Sequence, residues 1–279
     1  NMKNYILLLR PKHYIKNIFV LLPLFFSGQI IYLNLLIDGL MAFLSFCFAA
    51  SAIYIFNDYK DIETDKKHPI KKKRPLASGL VKKTNALKLM ILLIFFSIIF
   101  MLFVSKNSLI VVCVYLVLNI IYSLKLKNIA LLDVTIISSG FVLRIFAGSY
   151  AYSVTLTTWI VIMTFLLALF LALAKRRDDV LILQKTGKKM RKSVEGYNLK
   201  LIDNTMMIMS AVVIVAYIQI MINNDFLERF ENENLYLTSL FVIFGIMRYL
   251  QVTIVNEKSG SPTEVILTDK VLQINIMFW

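Results

Sequence analysis

The sequence predicts an all-α integral membrane protein with a single transmembrane domain across residues 1–279. Two observations predict this class. Of the 279 residues, 58% are hydrophobic, a larger share than a soluble domain of this length carries. Apolar runs of about 17–25 residues, the length of a helix that crosses a bilayer, recur along the whole chain.

These runs predict about nine membrane-spanning helices. Before them, the segment 2–17 carries Lys3, Arg10, Lys12 and Lys16, and we interpret it as a short helix at the membrane surface. The predicted spans cover residues 17–33, 38–56, 86–104, 108–124, 129–150, 157–174, 204–222, 235–251 and 264–279.

The net charge of +14 lies largely between the spans. In a soluble protein this charge would indicate nucleic acid, but Lys and Arg in the loops of a membrane protein set its orientation. Loops 57–85 and 175–203 hold nine Lys or Arg residues each, whereas the opposite side has little more than Lys106 and Arg229. We therefore expect a multi-pass protein of a bacterial plasma membrane, with both loops in the cytoplasm and no nucleic acid partner.

Asp58, Asp61 and Asp65 directly follow the second apolar run. Each helical residue turns by about 100°, so spacings of three and four put these carboxylates on one face. Carboxylates grouped at a membrane surface repel one another, and a divalent cation between them would relieve the repulsion. Oxygen ligands suit Mg²⁺, which usually binds carboxylates together with substrate phosphates. The stretch therefore predicts a site for a metal-bound diphosphate.

The second basic loop opens with Lys175-Arg176-Arg177-Asp178-Asp179, immediately after a predicted span. Loop 57–85 also begins where an apolar helix ends, so we expect both loops at the mouth of one helical bundle. That arrangement would bring carboxylates for a metal near cations for phosphate oxygens. Taken singly, the basic residues are equally typical of ordinary cytoplasmic loops.

One predicted span carries two charges, Asp133 and Arg144, about three helical turns apart and therefore on one face. A charge inside a span costs roughly 2.5–3.5 kcal/mol and normally faces a polar cavity. Two interpretations stay open: the residues pair with other helices, or they bind substrate, with Arg144 as a phosphate clamp. Tyr122, Lys125 and Lys127 end the preceding span and are expected at the same cytoplasmic mouth.

Other catalytic patterns are absent from the sequence. It has no G-x-x-x-x-G-K-[ST] and no G-x-G-x-x-G motif, and its two His residues give no support to Ser-His-Asp chemistry. A transporter of a phosphorylated or lipid solute is a further alternative. A transporter should show an internal repeat or paired broken spans, and the sequence shows neither.

A match to a known family narrows the prediction. The pattern N-D-x-x-D-x-x-x-D at residues 57–65, followed by R-P-L-A-S-G at 74–79, resembles the first signature of the UbiA superfamily of membrane prenyltransferases. The resemblance covers nearly the whole chain and implies a UbiA-like bundle with a cytoplasm-facing cavity. Segments that resemble the branch acting on polyprenyl phosphates lie at residues 10–17, 122–127, 137–144, 174–176 and 261–264.

This branch implies that 5-phosphoribosyl 1-diphosphate (PRPP), bound with Mg²⁺, donates phosphoribose to a polyprenyl phosphate for cell-envelope glycan precursors. The resemblance assigns the metal to Asn57, Asp58, Asp61 and Asp65. On physical grounds we add cations for the phosphates. The catalytic candidates are Asp58, Asp61, Lys73, Arg74 and Arg144. The substrate-binding candidates are Lys16, Asn17, Asn57, Tyr122, Lys125, Lys127, Asp133, Lys175, Arg176 and Asp179.

An aromatic prenyltransferase of the same superfamily, with a prenyl diphosphate as donor, is the alternative. Aromatic members have a second acidic motif with spaced aspartates, whereas here only the adjacent Asp178 and Asp179 follow a basic triplet. The surplus of cations favours PRPP, because PRPP and the lipid together carry more phosphate groups than a prenyl diphosphate.

Overall fold

The computed structural model describes residues 2–67, 71–223, 227–228, 231–258 and 262–279. Regular structure in these ranges is helical and includes no strand, so the predicted all-α class is confirmed. Arg229, predicted on the side opposite the basic loops, and Ser261, in one of the segments that resemble the family, lie outside the described residues, as does part of loop 57–85. In chain order the main α-helices are α1 (Met2–Leu9), α2 (Leu22–Phe26), α3 (Leu33–Lys60), α4 (Ile62–Lys67), α5 (Lys83–Val104), α6 (Lys106–Leu124), α7 (Leu132–Tyr152), α8 (Thr158–Thr186), α9 (Leu199–Met221), α10 (Ser239–Leu250), α11 (Pro262–Thr268) and α12 (Lys270–Phe278).

Seven helices of the described ranges are long and apolar enough to cross a bilayer. They are α3, α5, α6, α7, α8, α9 and α10, the last lengthened at both ends into a continuous span over Leu235–Val255. The chain is therefore a multi-pass membrane protein. The added turn after α10, Gln251–Val255, is a π-helix.

The predicted count of nine spans is not confirmed in the part of the chain that the structure describes. In place of a first span over 17–33, the chain forms a 3₁₀-helix (Pro11–Leu21), the short α2 and a 3₁₀ turn (Gln29–Ile31). Pro23 has no N–H to continue an α-helix from the preceding segment. Gly28 ends α2 with a left-handed φ of 68°.

The predicted last span, 264–279, is split into α11 and α12 at Asp269. The Asp269 carboxylate accepts from Leu272 N at 2.9 Å and so caps the start of α12. It also accepts from Arg248 Nη2 at 2.8 Å. Helices of seven and nine residues are about 10–14 Å long, less than half the thickness of the hydrocarbon layer.

The predicted surface helix 2–17 ends early, at Leu9. Arg10 has a left-handed backbone, with φ 52° and ψ 56°. The next residue is Pro11, and a residue before proline avoids the α-helical region. The helix therefore stops at the Arg-Pro step, and the chain continues in the 3₁₀ conformation.

The two basic loops are shorter than predicted. Helix α3 continues through residues 57–60, and α4 follows it directly. Helix α8 runs to Thr186, so Lys175, Arg176 and Asp179 lie in a helix and not in the predicted loop 175–203. The helix continues because the charges of Arg176 and Asp179 are satisfied by ion pairs within the protein.

Contacts divide the chain into two compact units. Unit 1 comprises Asn1–Leu126 and Leu143–Leu156, and unit 2 comprises Lys127–Val142 and Thr157–Trp279.

In unit 1, α3 packs against α5 and α6. Small residues of α3, such as Ala42, Ser45 and Ala49, are fully buried, which lets neighbouring helices approach closely. Ser45 Oγ donates to Ser97 O on α5 at 2.8 Å. This packing fixes the end of α3 from which the acidic stretch starts.

Gly148 marks a second close approach within unit 1. A Cβ atom at this position would lie 2.0 Å from the carbonyl oxygen of Val20, far closer than a van der Waals contact allows. The hydroxyl of Tyr152, one helical turn later, donates to the same oxygen at 3.2 Å. Near its end, α7 therefore packs directly against the backbone of the 3₁₀-helix Pro11–Leu21. The close contact is possible because Gly148 has no side chain.

In unit 2, α8 and α9 form the main helix pair. Their core includes Phe170, Ile202 and Met206, together with Tyr249 of α10. The ring centres of Phe170 and Tyr249 are 5.4 Å apart. Burial of these large side chains holds the charged end of α8 against the rest of the unit.

We expect Gly148→Ala to lower the free energy of unfolding by about 1–3 kcal/mol or more, because the new methyl group overlaps the Val20 carbonyl. The measurement is the yield of monodisperse protein in detergent and its thermal midpoint. Gly245→Ala in α10 is the matched control, since its Cβ meets only the Asn275 amide at 3.0 Å. Equal behaviour of the two variants would contradict the close approach.

Candidate active site

The acidic stretch 57–65 keeps the helical spacing that the sequence predicts. Asp61 N donates to Asn57 O at 3.0 Å and Asp65 N donates to Asp61 O at 2.8 Å, so helical bonds continue past the end of α3. Asp58 and Asp65 are buried and Asp61 is half-buried. Two of the three carboxylates meet on one guanidinium group.

Two arginines hold these carboxylates. Arg74 Nη1 donates to Asp58 Oδ1 at 2.9 Å and to Asp65 Oδ2 at 2.7 Å. Arg10 Nη2 donates to the same Oδ1 of Asp58 at 2.5 Å. The guanidinium carbon of Arg10 lies 5.0 Å from the centre of the Tyr54 ring. The two cations balance the two buried anions through charge-assisted hydrogen bonds.

Arg10 is a site residue whose role was not predicted from the sequence. Ser51 Oγ donates to Leu9 O at 2.9 Å and lies 2.9 Å from Tyr14 Oη. These bonds attach the chain on both sides of Arg10 to α3. The Arg-Pro step was a visible signal for a break in the helix, but no spacing rule joins Arg10 to a residue 48 positions later.

The R-P-L-A-S-G sequence at 74–79 positions Arg74. A 3₁₀ turn over Lys71–Lys73 precedes it, and Arg74 N donates to the first carbonyl of that turn at 2.9 Å. Ser78 Oγ donates to Arg74 O at 2.8 Å. Leu76 is buried in the core of unit 1. The segment is thus a compact turn that presents the guanidinium to the acidic stretch.

A divalent cation fits the chemistry of this donor set. Asn57, Asp58, Asp61 and Asp65 offer amide and carboxylate oxygens, the ligand type that Mg²⁺ prefers. The Arg74 nitrogen bonded to both Asp58 and Asp65 occupies a place for positive charge between two carboxylates. Within the described ranges, no three carboxylate, His or Cys side chains are already arranged to hold a metal. The metal role of the four residues therefore stays a prediction.

Arg144 and Asn17, both predicted site residues, lie together in unit 1. Arg144 Nε donates to Asn17 Oδ1 at 2.8 Å, and Nη2 donates to Tyr115 Oη at 3.2 Å. The guanidinium carbon is 4.9 Å from the Tyr115 ring centre and 5.6 Å from that of Phe46. Arg144 and Asn17 are buried. Aromatic faces and polar groups thus surround a cation inside a span. The contact of Tyr115 with Arg144 was not predicted, because no sequence pattern links the two residues.

Asp133 is fully buried at the start of α7, in unit 2. Its carboxylate accepts from Arg176 Nε at 2.7 Å, from Tyr197 Oη at 2.6 Å and from Ser193 Oγ at 3.0 Å. Arg176 Nη1 also donates to Asp179 Oδ2 at 2.6 Å. The predicted substrate-binding residues Asp133, Arg176 and Asp179 are therefore brought together, and they bind one another.

Tyr197 completes this network. Its hydroxyl accepts from Leu131 N at 2.8 Å while it donates to Asp133. Burial and the bond to the Asp133 carboxylate raise the pKa of Tyr197, so the hydroxyl remains a donor at neutral pH. A Cβ on the neighbouring Gly196 would lie 2.4 Å from the Ala130 Cβ. These contacts favour the alternative in which Asp133 pairs with another helix, and they order the segment between α8 and α9.

The other predicted site residues lie at or near the protein surface. Lys73 is in the 3₁₀ turn before Arg74, and Lys125 caps the end of α6. Their roles on phosphates stay predictions. Exposed members of the set are Lys73, Lys125 and Lys175, and half-buried members are Lys16, Tyr122 and Lys127.

The family model described as the UbiA prenyltransferase family matches residues 19–263. The chain is also similar to the decaprenyl-phosphate phosphoribosyltransferase of Mycolicibacterium smegmatis, with 34% identity over 97% of this chain and 88% of that protein. The protein of the same name from Corynebacterium glutamicum is 33% identical, over 97% of this chain and 82% of its own.

Solved structures share the fold. A UbiA homolog from Archaeoglobus fulgidus, bound to GPP and Mg²⁺, superposes with a TM-score of 0.75 at 18% identity, over 99% of this chain and 97% of that one. The apo UbiA homolog from Aeropyrum pernix K1 gives a TM-score of 0.66 at 15% identity, over 96% and 98% of the two chains. The helical arrangement predicted from the sequence is thus found in known structures.

We expect Tyr197→Phe to lower the free energy of unfolding by about 1–3 kcal/mol, because a buried carboxylate loses a donor and Leu131 N loses its acceptor. Chemical denaturation in detergent, followed by circular dichroism, measures the change. Tyr236→Phe removes the same atom from an exposed side chain and should have little effect. An unchanged midpoint for Tyr197→Phe would contradict the proposed network.

Proposed function

Because the chain belongs to the UbiA prenyltransferase family, we propose that it transfers 5-phosphoribose from PRPP to a polyprenyl phosphate. The observation that carries this proposal is the likeness, over almost the full length of both proteins, to decaprenyl-phosphate phosphoribosyltransferases. The acceptor would be a long-chain lipid phosphate in the bilayer. The product, a lipid-linked phosphoribose, would supply a pentose for cell-envelope glycan precursors.

In the proposed reaction an oxygen of the lipid phosphate attacks C1 of the ribose. The bond from C1 to the diphosphate oxygen breaks, and diphosphate leaves with the bonding electrons. The lipid phosphate is already an anion at neutral pH, so no strong general base is needed. The protein then has to position two anionic substrates and stabilise the leaving diphosphate.

Unit 1 offers groups for both tasks. Asn57, Asp58, Asp61 and Asp65 would hold Mg²⁺, which neutralises charge on the leaving diphosphate when it is bound. Arg74, which contacts Asp58, and Lys73, the residue before it, would donate to diphosphate oxygens.

Arg144 is the candidate phosphate clamp within a span. Its guanidinium is held by Asn17 and Tyr115, which fix its orientation. The remaining cations are proposed for the 5-phosphate of PRPP and the lipid phosphate: Lys16, Lys125, Lys127 and Lys175.

We place the site at the cytoplasmic face of a bacterial plasma membrane. The support is the distribution of Lys and Arg, which is concentrated in the segments around 57–85 and 175–203. Mg²⁺ and PRPP, both hydrophilic, would reach the protein from the cytoplasm, and the lipid would reach it through the bilayer.

A prenyl transfer to an aromatic acceptor is the second candidate. It is favoured by one observation, namely that the A. fulgidus structure that shares this fold contains GPP and Mg²⁺. Both candidates use a metal-bound diphosphate, so they differ in the group that is attached to it.

The direct test uses purified protein in lipid nanodiscs with Mg²⁺, ¹⁴C-labelled PRPP and a polyprenyl phosphate. We expect label to enter the lipid phase with release of one diphosphate per transfer, and we expect EDTA to stop both. Transfer from geranyl diphosphate to a hydroxybenzoate, with no labelling of lipid from PRPP, would contradict the proposed donor.

Asp58→Asn should lower the rate of transfer by at least about 100-fold, because the amide lacks the negative charge with which the carboxylate would hold the metal of a metal–diphosphate complex. Glu63→Gln is the matched control: Glu63 is an exposed acid on the adjacent helix, paired with Lys66 at 2.9 Å. Initial rates with saturating Mg²⁺ measure both variants. Near-normal turnover of Asp58→Asn would remove Asp58 from the metal site.

A further inference from the structure

The cluster of Asp58, Asp65, Arg10 and Arg74 has formal charges that cancel. We infer that Arg10 and Arg74 compete with a divalent cation for these two carboxylates, and give them up only when the metal arrives with a diphosphate. The arginines then donate to the diphosphate oxygens. This inference rests on the proposed metal–diphosphate site and adds a role for Arg10.

The geometry requires an exchange of partners. One oxygen, Asp58 Oδ1, accepts from Arg10 at 2.5 Å and from Arg74 at 2.9 Å. The Arg74 nitrogen that makes this bond also donates to Asp65 Oδ2 at 2.7 Å. A metal ion bound to both carboxylates would occupy the region that this nitrogen fills. The guanidinium groups therefore have to move before a metal can bind both acids.

Charge decides when the exchange is favourable. A bare divalent cation added to these four residues would leave positive charge in excess beside buried groups, even with the Asp61 carboxylate counted among its ligands, and this is costly. Releasing the arginines into solvent without a new partner would forfeit their charge-assisted bonds. A diphosphate brings compensating negative charge and acceptor oxygens, so metal and diphosphate should bind together far better than either binds alone.

Exposure shows which partner can leave. The carboxylate side chains of Asp58 and Asp65 are 3% and 5% exposed, whereas those of Arg10 and Arg74 are 22% and 25% exposed. The arginines thus cover the acids and meet an incoming anion first. Arg10 also lies against the face of the Tyr54 ring, a contact that it could keep after it releases Asp58.

The expected signature is an opposite change in two affinities. Arg10→Gln removes one competitor for Asp58, so binding of Mn²⁺ alone should tighten, by roughly 5- to 100-fold on the scale of typical linkage couplings. The same variant loses a donor to the anion, so binding of diphosphate with Mn²⁺ present should weaken over the same range. A residue with a merely structural role would weaken both.

The experiment uses the full-length protein in detergent. Electron paramagnetic resonance of free Mn²⁺ measures metal binding without diphosphate. Retention of ³²P-labelled inorganic diphosphate on a spin column, at saturating Mn²⁺, measures anion binding. Lys66→Gln is the control for loss of a nearby charge, because Lys66 pairs only with the exposed Glu63 in the described structure. It should change either affinity by less than Arg10→Gln does.

The wild-type protein provides a test that does not depend on a variant's folding. It should retain diphosphate strongly only with Mn²⁺, and it should bind Mn²⁺ alone weakly. Tight binding of Mn²⁺ alone to the wild type, or a loss of both affinities in a monodisperse Arg10→Gln protein, would overturn the exchange. Arg10→Lys keeps the charge and should leave Mn²⁺ binding closer to wild type than Arg10→Gln does.

The outcome separates this inference from the proposed function. Opposite shifts in Arg10→Gln without any transfer from PRPP would uphold the exchange for another diphosphate substrate and reject PRPP as donor. Transfer from PRPP that needs Asp58, with both affinities lowered in Arg10→Gln, would uphold the reaction and reject the exchange.

Discussion

The carboxylate of Asp58 is the constraint on which unit 1 depends. It is buried at the end of a membrane-spanning helix, where an uncompensated charge would cost several kcal/mol. Two guanidinium groups compensate it, and each comes from a different part of the chain. The need to satisfy this group therefore joins the N-terminal segment, the end of α3 and the turn at Arg74. Replacing either arginine would therefore break a contact between two of these segments as well as remove a charge.

A second buried acid, Asp133, is satisfied by the same kind of partner but in a different setting. Arg176 is 1% exposed, and its two carboxylate partners are also largely buried. Ser193 and Tyr197 add hydroxyl donors to Asp133. Arg176 is buried together with its carboxylate partners, so this network is suited to ordering a segment. Exposure of the cation distinguishes an exchangeable cluster from a structural one.

Much of the fold and part of the candidate site could be predicted from the sequence, and the failures of prediction have physical causes. Apolar length predicts the seven long helices, and the spacing of Asp58, Asp61 and Asp65 predicts a shared face. The expected first and last spans fail because proline, glycine and a capping aspartate interrupt an apolar run that a length criterion counts as continuous. The partners of buried charges escape prediction, since Tyr197 and Asp133 are 64 residues apart and no local pattern records their contact.

The most direct measurement is an experimental structure of the protein with Mn²⁺ and diphosphate, with the metal located by its anomalous signal. The expected result is a Mn²⁺ peak at roughly 2.0–2.3 Å from carboxylate oxygens of Asp58 and Asp65, with the Arg10 and Arg74 guanidinium groups moved onto the diphosphate. The contradicting result is bound diphosphate with both arginines still on the carboxylates and the metal elsewhere.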